Sequence, residues 1–240
     1  MSDYENAFGQ PIGAPLTQWR GCAPMPTTPI VGRYCDVVPL NPAHGDDLFA
    51  TYQSDSTGTI WTYMPSGPFE QRRDFDDWMA ANCASTDPLF FVIIDKANGK
   101  AAGITSFLRI VPAHGVVEVG YISFGPALKQ TRAATEAMYL MMRRALGELG
   151  YRRYEWKCDA LNAASRKAAL RLGFTYEGTF RQATVYKNRN RDTAWFSVLD
   201  HEWPAREAAF EAWLEPENFD EMARQRRSLQ MHGRADQAET

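Results

Sequence analysis

A mixed α/β sheet flanked by helices, in one medium domain with extensions at both ends, is the fold class that the sequence predicts. The central stretch supplies the main observations. Val116–Phe124 is apolar, β-branched and aromatic, with Glu118 its only charge, as a mostly buried strand should be. Beyond the Gly125-Pro126 break the period changes: Ala134, Ala137, Met138, Met141, Ala145 and Leu149 fall on one helical stripe spanning 131–149. Gly150 stops that helix, and Tyr154-Glu155-Trp156-Lys157-Cys158 opens a second strand. The third observation is size. At 240 residues and 45% apolar content, the chain can bury one sizeable core rather than two.

The remaining elements follow in order. Residues 1–30 carry five Pro and little periodicity, which makes them an extended arm. A first strand is expected over 33–40. Asn41 followed by Pro42 is an N-cap with Pro at the first helical position, opening a helix through Leu48, Phe49 and Tyr52. A loop of small residues over 54–67 carries Trp61, Tyr63 and Met64. A second helix is expected over 69–83, with Phe75, Trp78 and Met79 inward. Strands over 89–94 and 100–111 are joined through Ala97-Asn98-Gly99, a turn by its chemistry. After the central stretch, Asn162 caps a short helix. Strands over 175–186 and 193–199 then form a hairpin across the polar segment 187–192. Trp203 and Pro204 are expected to end the domain. A short helix over 205–214, with Phe210 and Trp213 inward, leads into a charged tail. The domain limits are thus 31–203, with an arm before and a helix and tail over 204–240.

Composition excludes several classes of function. A net charge of −3 gives no general case for nucleic acid or an anionic membrane. No stretch approaches the length of an apolar span, and the first residues have no secretory apolar segment, so a cytoplasmic protein is expected. Four widely spaced Cys, with no CxxC and no metal-ligand spacing, are expected to be reduced, and no metal is expected. There is no GxSxG, HExxH, GxGxxG or P-loop.

A strand running into a helix start offers unpaired N–H groups and the positive end of a dipole, a seat for an anion. The segments VEVGYIS, AATEA and KCDALNAASRKAALRLGF, followed by YEGTFRQATVYKNRNRDTAWFSVLDHEW, resemble the GNAT superfamily of acetyl-CoA-dependent N-acetyltransferases. Within it they look most like the ribosomal-protein N-terminal acetyltransferase branch. The resemblance spans about 33–203. It rests most specifically on Asn162, Ser165, Gly173-Phe174 and Glu177-Gly178 at one spacing. It implies a mostly antiparallel mixed sheet with flanking helices, acetyl-CoA as cosubstrate, and an amine acceptor on a small molecule or a peptide N-terminus.

The resemblance also assigns roles. The pyrophosphate loop of the family falls on Lys129, Gln130, Thr131, Arg132, Ala133, Ala134 and Thr135. Arg132 stands where the family has Gly, and either offers a guanidinium in place of a close backbone approach or is a surface Arg on the first helical turn, opposing the dipole. Pantetheine is expected along Val119, Tyr121 and Ile122, with Gly120 either permitting close approach or a bulge or simply relieving packing. Glu118 is the candidate general base, acting through one water. Its alternative is a solvated or Arg-paired carboxylate. Ser165 is the candidate proton donor to the leaving thiolate and Asn162 a cofactor contact, against ordinary helix-cap roles for both; Tyr121 is a reserve donor. Trp61, Tyr63 and Met64 either line the acceptor entrance or form satellite core. The branch usually has a carboxylate after Gln-Ala of its last hairpin, where this chain has Thr184. That departure, with Arg132, leaves a second reading: a catalytically silent module binding acyl-CoA. The basic run 187–191 reads as a solvated turn or a lure for an acidic partner. Homodimers are frequent in the branch, and the last helix with Trp213 is the candidate surface for one.

Overall fold

A computed structural model describes residues 4–229 and 231. A two-residue hairpin comes first, β1 (Tyr4–Glu5) with β2 (Pro11–Ile12). The main sheet is built from β3 (Ile30–Val31), β4 (Cys35–Pro39), β5 (Leu89–Asp95), β6 (Lys100–Val111), β7 (Val116–Phe124), β8 (Arg153–Asp159), β9 (Thr175–Tyr186) and β10 (Arg189–Leu199). Its order is β3-β4-β5-β6-β7-β8-β10-β9, antiparallel throughout except for the parallel pair β7/β8. Among the described residues five α-helices accompany it: α1 (Gly45–Gln53), α2 (Arg72–Cys83), α3 (Arg132–Met142), α4 (Ala163–Arg171) and α5 (Trp203–Leu214).

Alternation along the strands divides the core in two. Phe91, Phe107, Val117, Val119, Tyr154 and Trp156 face α3 and α5. Phe90, Val92 and Ile104 face α1 and α2, where Tyr52, Trp61 and Phe75 complete an aromatic cluster.

The sequence marks only one apolar stripe on α3, yet every residue from Ala133 to Met142 is buried. The sheet covers that stripe, and α5 covers another side through Tyr139, which stacks on Trp203 at 6.2 Å. On a third side, Glu136 accepts the amides of Arg33, Tyr34 and Cys35 at 2.8, 2.6 and 2.8 Å, pinning the β3–β4 turn. Past Met142 the helix widens into a π-helical segment, Arg143–Glu148.

Three expectations need correction. The final hairpin turns on Lys187 and Asn188 alone, both with positive φ (47° and 57°), so the polar segment 189–192 belongs to β10 rather than to a long loop. Trp203 and Pro204 do not close the domain; Pro204 lies in the first turn of α5, where its missing N–H costs nothing. Nor is Trp213 free for a partner: it is 6% exposed, packs edge-on against Phe219 at 5.0 Å and donates to Gln225. The arm before β3 is fastened down, with Trp19 donating to the Ala113 carbonyl at 2.8 Å and Met25 in the core. Of the tail, residue 230 and residues 232–240 lie outside the described set.

Candidate active site

Parallel pairing of β7 with β8 runs from Val116–Arg153 to Val119–Trp156 and stops there. Beyond it the strands diverge, and β7 from Gly120 onward keeps a partner on one edge only, β6. The opening sits at the carboxyl ends of two parallel strands, each feeding the start of a helix, α3 and α4. Such crevices are where α/β sheets take ligands.

At the α3 lip, Gln130 has φ 62°, and Thr131 is the N-cap, its hydroxyl accepting the Ala134 amide at 3.1 Å. Among the described residues, the amides of Gln130, Arg132 and Ala133 meet no acceptor. Three unspent N–H groups at the positive end of a helix fit a pyrophosphate. Lys129 and Gln130 are exposed beside them. The Arg132 side chain goes elsewhere: its guanidinium lies 4.2 Å from the Tyr34 ring centroid and 5.5 Å from that of Phe219. What it leaves at the helix start is its backbone N–H. Thr135 sits a turn deeper, buried, and accepts from Arg171 at 3.1 Å.

A register shift between β6 and β7 falls between Gly120 and Ser123. The left-handed residue there is Tyr121 (φ 49°) rather than Gly120, whose role is space: a Cβ on it would come within 2.9 Å of Leu108. The bulge reverses the alternation. Simple period two would put Glu118 and Tyr121 on opposite faces. Instead Tyr121 joins the α1–α2 cluster, its ring 5.1 Å from Phe90, on the face that Glu118 shares. Val119 and Ile122 turn to the α3 side.

Glu118 is neither solvated nor alone. It is 6% exposed and receives Lys157 Nζ at 2.8 Å and Arg109 Nε at 3.5 Å. Lys157 in turn reaches Glu155 at 2.7 Å and stands 3.7 Å from the Trp195 ring centroid. Arg153 bonds Glu155 at 2.7 Å and Glu177 at 2.8 Å. Burial pushes the Glu118 carboxyl above its ordinary range; Lys157 and Arg109 oppose this without cancelling it. Burial also acts on Glu155, but its bonds from Lys157 and Arg153 outweigh it and hold that carboxyl low. Tyr121 is raised by burial and by Glu118, with Arg191 pulling the other way.

On the α4 lip, Asn162 accepts the Ser165 amide at 3.0 Å, so its carbonyl oxygen serves the cap. Ser165 Oγ accepts the Trp156 indole N–H at 3.0 Å. That bond occupies a lone pair and leaves the hydroxyl proton to be given away. Its neighbour Cys158 is buried, which raises the thiol pKa, with the Ser165 hydroxyl offsetting part of the rise. A thiol held protonated in the core is no nucleophile.

The aromatic loop divides its residues. Trp61 is 4% exposed and packs edge-on against Tyr52 and Phe69, so it is core. Tyr63 is half-buried, and its hydroxyl bonds the Leu161 carbonyl at 3.1 Å, bridging to the β8–α4 loop. Met64 is half-buried against the same cluster. The hairpin end closes on this loop from the other side: Lys187 donates to the Trp61 carbonyl at 2.8 Å and Arg189 to that of Thr62 at 2.7 Å. The turn expected there is exposed over Lys187 to Asn190, and these two contacts tie it to the aromatic loop.

Residues 37–175 match the acetyltransferase (GNAT) domain family. The chain belongs to the GNAT acetyltransferases. No curated protein matches the sequence significantly. Among solved structures, a GCN5-related N-acetyltransferase from Brucella melitensis is 47% identical, with TM-score 0.88, covering 89% of this chain and 97% of its own. A probable acetyltransferase of the GNAT family from Chromobacterium violaceum is 44% identical, with TM-score 0.75 and coverage of 82% and 98%. The ribosomal L7/L12 α-N-protein acetyltransferase RimL, solved with coenzyme A, shares the fold at 18% identity, TM-score 0.59 and coverage of 72% and 98%.

GNAT acetyltransferases use acetyl-CoA, which supplies the activated acyl group. In this acetyltransferase the free amides of α3, the one-sided edge of β7 and Ser165 all border the opening that would hold it. Among the described residues no group of His, Cys, Asp and Glu could hold a metal ion, and no helix is long and apolar enough to cross a membrane. Reading the sequence passed over Lys157 and Trp156, which the fold sets against Glu118 and Ser165. A signal was there for the first: β8 alternates Arg153, Glu155, Lys157, Asp159 with Tyr154, Trp156, Cys158, so its charged face had to lie beside Glu118.

Proposed function

We propose that this acetyltransferase moves the acetyl group of acetyl-CoA to a primary amine, on a small molecule or a peptide N-terminus, by direct attack and without a covalent enzyme intermediate. One juxtaposition carries the reading. The opening between β7 and β8 has an anion cradle at one lip, a hydroxyl poised to donate at the other, and a buried carboxylate on the α1–α2 face.

Glu118, with its raised pKa, accepts a proton from the acceptor ammonium through one water. Ser165 gives its proton to the departing thiolate and is reset by solvent, while the Trp156 N–H holds its oxygen in place. Tyr121, on the bulge between them, is the reserve donor. The backbone amides of Gln130, Arg132 and Ala133 hold the pyrophosphate, and the edge of β7 from Gly120 holds the pantetheine arm as an added strand would be held. Tyr63 and Met64 line the acceptor side.

Thiol release from acetyl-CoA, followed over a panel of small amines and N-terminal peptides, tests this. Turnover with at least one acceptor is expected. Tight coenzyme binding with no release on any of them would mark a silent acyl-CoA-binding module instead.

A further inference from the structure

The end of the β9–β10 hairpin carries three cations, and two are spent on the protein. Lys187 and Arg189 donate to the carbonyls of Trp61 and Thr62. Arg191 has no such acceptor. Among the described residues no carboxylate pairs with it, and its Nε is enclosed with no hydrogen-bond partner. Its guanidinium lies 5.9 Å from the centroid of the Tyr186 ring. The nearby acid is already engaged: Asp159 accepts the Tyr186 hydroxyl at 2.8 Å and the Leu161 amide at 2.9 Å.

Position makes this cation pertinent. Thr193 pairs with Asp159, the last residue of β8, and Arg191 lies two residues further along β10, at the mouth of the opening. A bulge at Asp192 fixes that end of the strand, its carbonyl taking the Ala160 amide at 2.8 Å and its carboxylate the Gln182 amide at 2.7 Å. From there Arg191 acts electrostatically on both lips, on Tyr121 of β7 and Cys158 of β8. The cations deeper on this face are matched: Lys157 by Glu118 and Glu155, Arg109 by Glu118 and Arg153 by Glu155.

We infer that Arg191 anchors an anionic group of the acceptor, so that the amine acetylated here carries a carboxylate or a phosphate near it. The inference rests on the amine-acceptor reading above. A half-buried guanidinium without a protein partner is stabilised by an oxyanion whose geometry matches its fork. Binding the anion at the mouth would orient the amine toward Glu118, deeper on the same face.

Matched acceptors test it: amino acids against their amides, amino alcohol phosphates against the free alcohols, and N-terminal peptides with Glu or Gln at the second position. In the wild type, kcat/KM for one charged series is expected to exceed its neutral counterpart by about 10- to 100-fold, the range of a hydrogen-bonded charge. Whether the carboxylate or the phosphate pairs show the preference identifies the anion. Arg191→Met should bring that ratio to about one, mainly through KM, and Arg191→Lys should keep part of it. A wild-type ratio near one overturns the inference even if Arg191→Met does not fold. So does a ratio that Arg191→Met leaves unchanged. Absence of turnover with every acceptor, charged or neutral, would instead sink the acetyltransferase reading, and this one with it.

Discussion

Replacing Lys157 with Met removes a cation that touches two buried carboxylates at once. Its Nζ lies 2.8 Å from Glu118 and 2.7 Å from Glu155, with the side chain only 7% exposed, so solvent screens little of the interaction. At about 4 Å and an effective dielectric of ~20, one such attraction is on the order of 4 kcal/mol. Since about 1.4 kcal/mol corresponds to one pKa unit, the full loss is an upper bound of roughly three. Arg109 remains 3.5 Å from Glu118, and water can enter the space left. A rise of at least about one unit is therefore expected for Glu118. The sign is fixed: without its cation the carboxylate is harder to ionise. The acid limb of kcat/KM, expected above the ordinary carboxylate range because burial raises the Glu118 carboxyl, should move to higher pH. Stability falls as well, by about 3–5 kcal/mol for one partner removed from a buried pair. Lys157→Arg keeps the charge and should keep most of the profile. The assay is initial rate against pH for the three proteins, with melting curves to confirm that each is folded. A Lys157→Met profile superimposable on the wild type, in a folded protein, would refute the assignment of Glu118 as the titrating base.

Other expectations concern the cradle, the donor and the core. Arg132 is the first residue of α3 and follows an extended Thr131, so Arg132→Pro fits the backbone while deleting one cradle N–H. Arg132→Ala deletes the stack on Tyr34 but keeps that N–H. Calorimetry should find coenzyme affinity reduced about tenfold or more by Pro and nearly unchanged by Ala; equal effects would move the phosphates onto the side chain. Ser165→Ala should lower kcat by ~10²-fold or more with little change in the KM for acetyl-CoA, and a loss under about threefold would remove Ser165 from the chemistry. Glu136→Ala strands three amides of the β3–β4 turn, at about 1–3 kcal/mol each. Its denaturant midpoint should fall by the equivalent of ~3 kcal/mol or more, and a near-neutral result would mean that the turn re-forms its bonds elsewhere.

Much of the frame is legible in the residues. The limits of β7 are found from the sequence to the residue, because an apolar run bounded by His114-Gly115 and Gly125-Pro126 leaves little choice. Asn41-Pro42 does mark a helix entry, although a 3-10 turn over Pro42–His44 precedes α1. Where local reading fails, something distant decides. The full burial of α3 comes from Glu136 and Tyr139, whose partners lie 101 residues earlier and 72 residues later in the chain. The turn at Lys187-Asn188 is shorter than composition suggests, since Arg189 already pairs with Tyr186 in the ladder and its side chain is spent on the Thr62 carbonyl rather than on turn formation.

The site divides the same way. Sequence alone determined which types of group the opening would hold: a strand carboxylate in Glu118, a capped hydroxyl in Ser165, and a helix start at Thr131. Chemistry and spacing are properties of the chain itself. Only the tertiary structure decided what each group faces. The bulge at Tyr121 sets which face that side chain shares with Glu118, β8 supplies the Lys157 that holds Glu118, and the folding of β9 onto β10 leaves Arg191 Nε with no hydrogen-bond partner among the described residues. Pairing energies depend on distance and burial, and neither exists until strands far apart in sequence lie side by side.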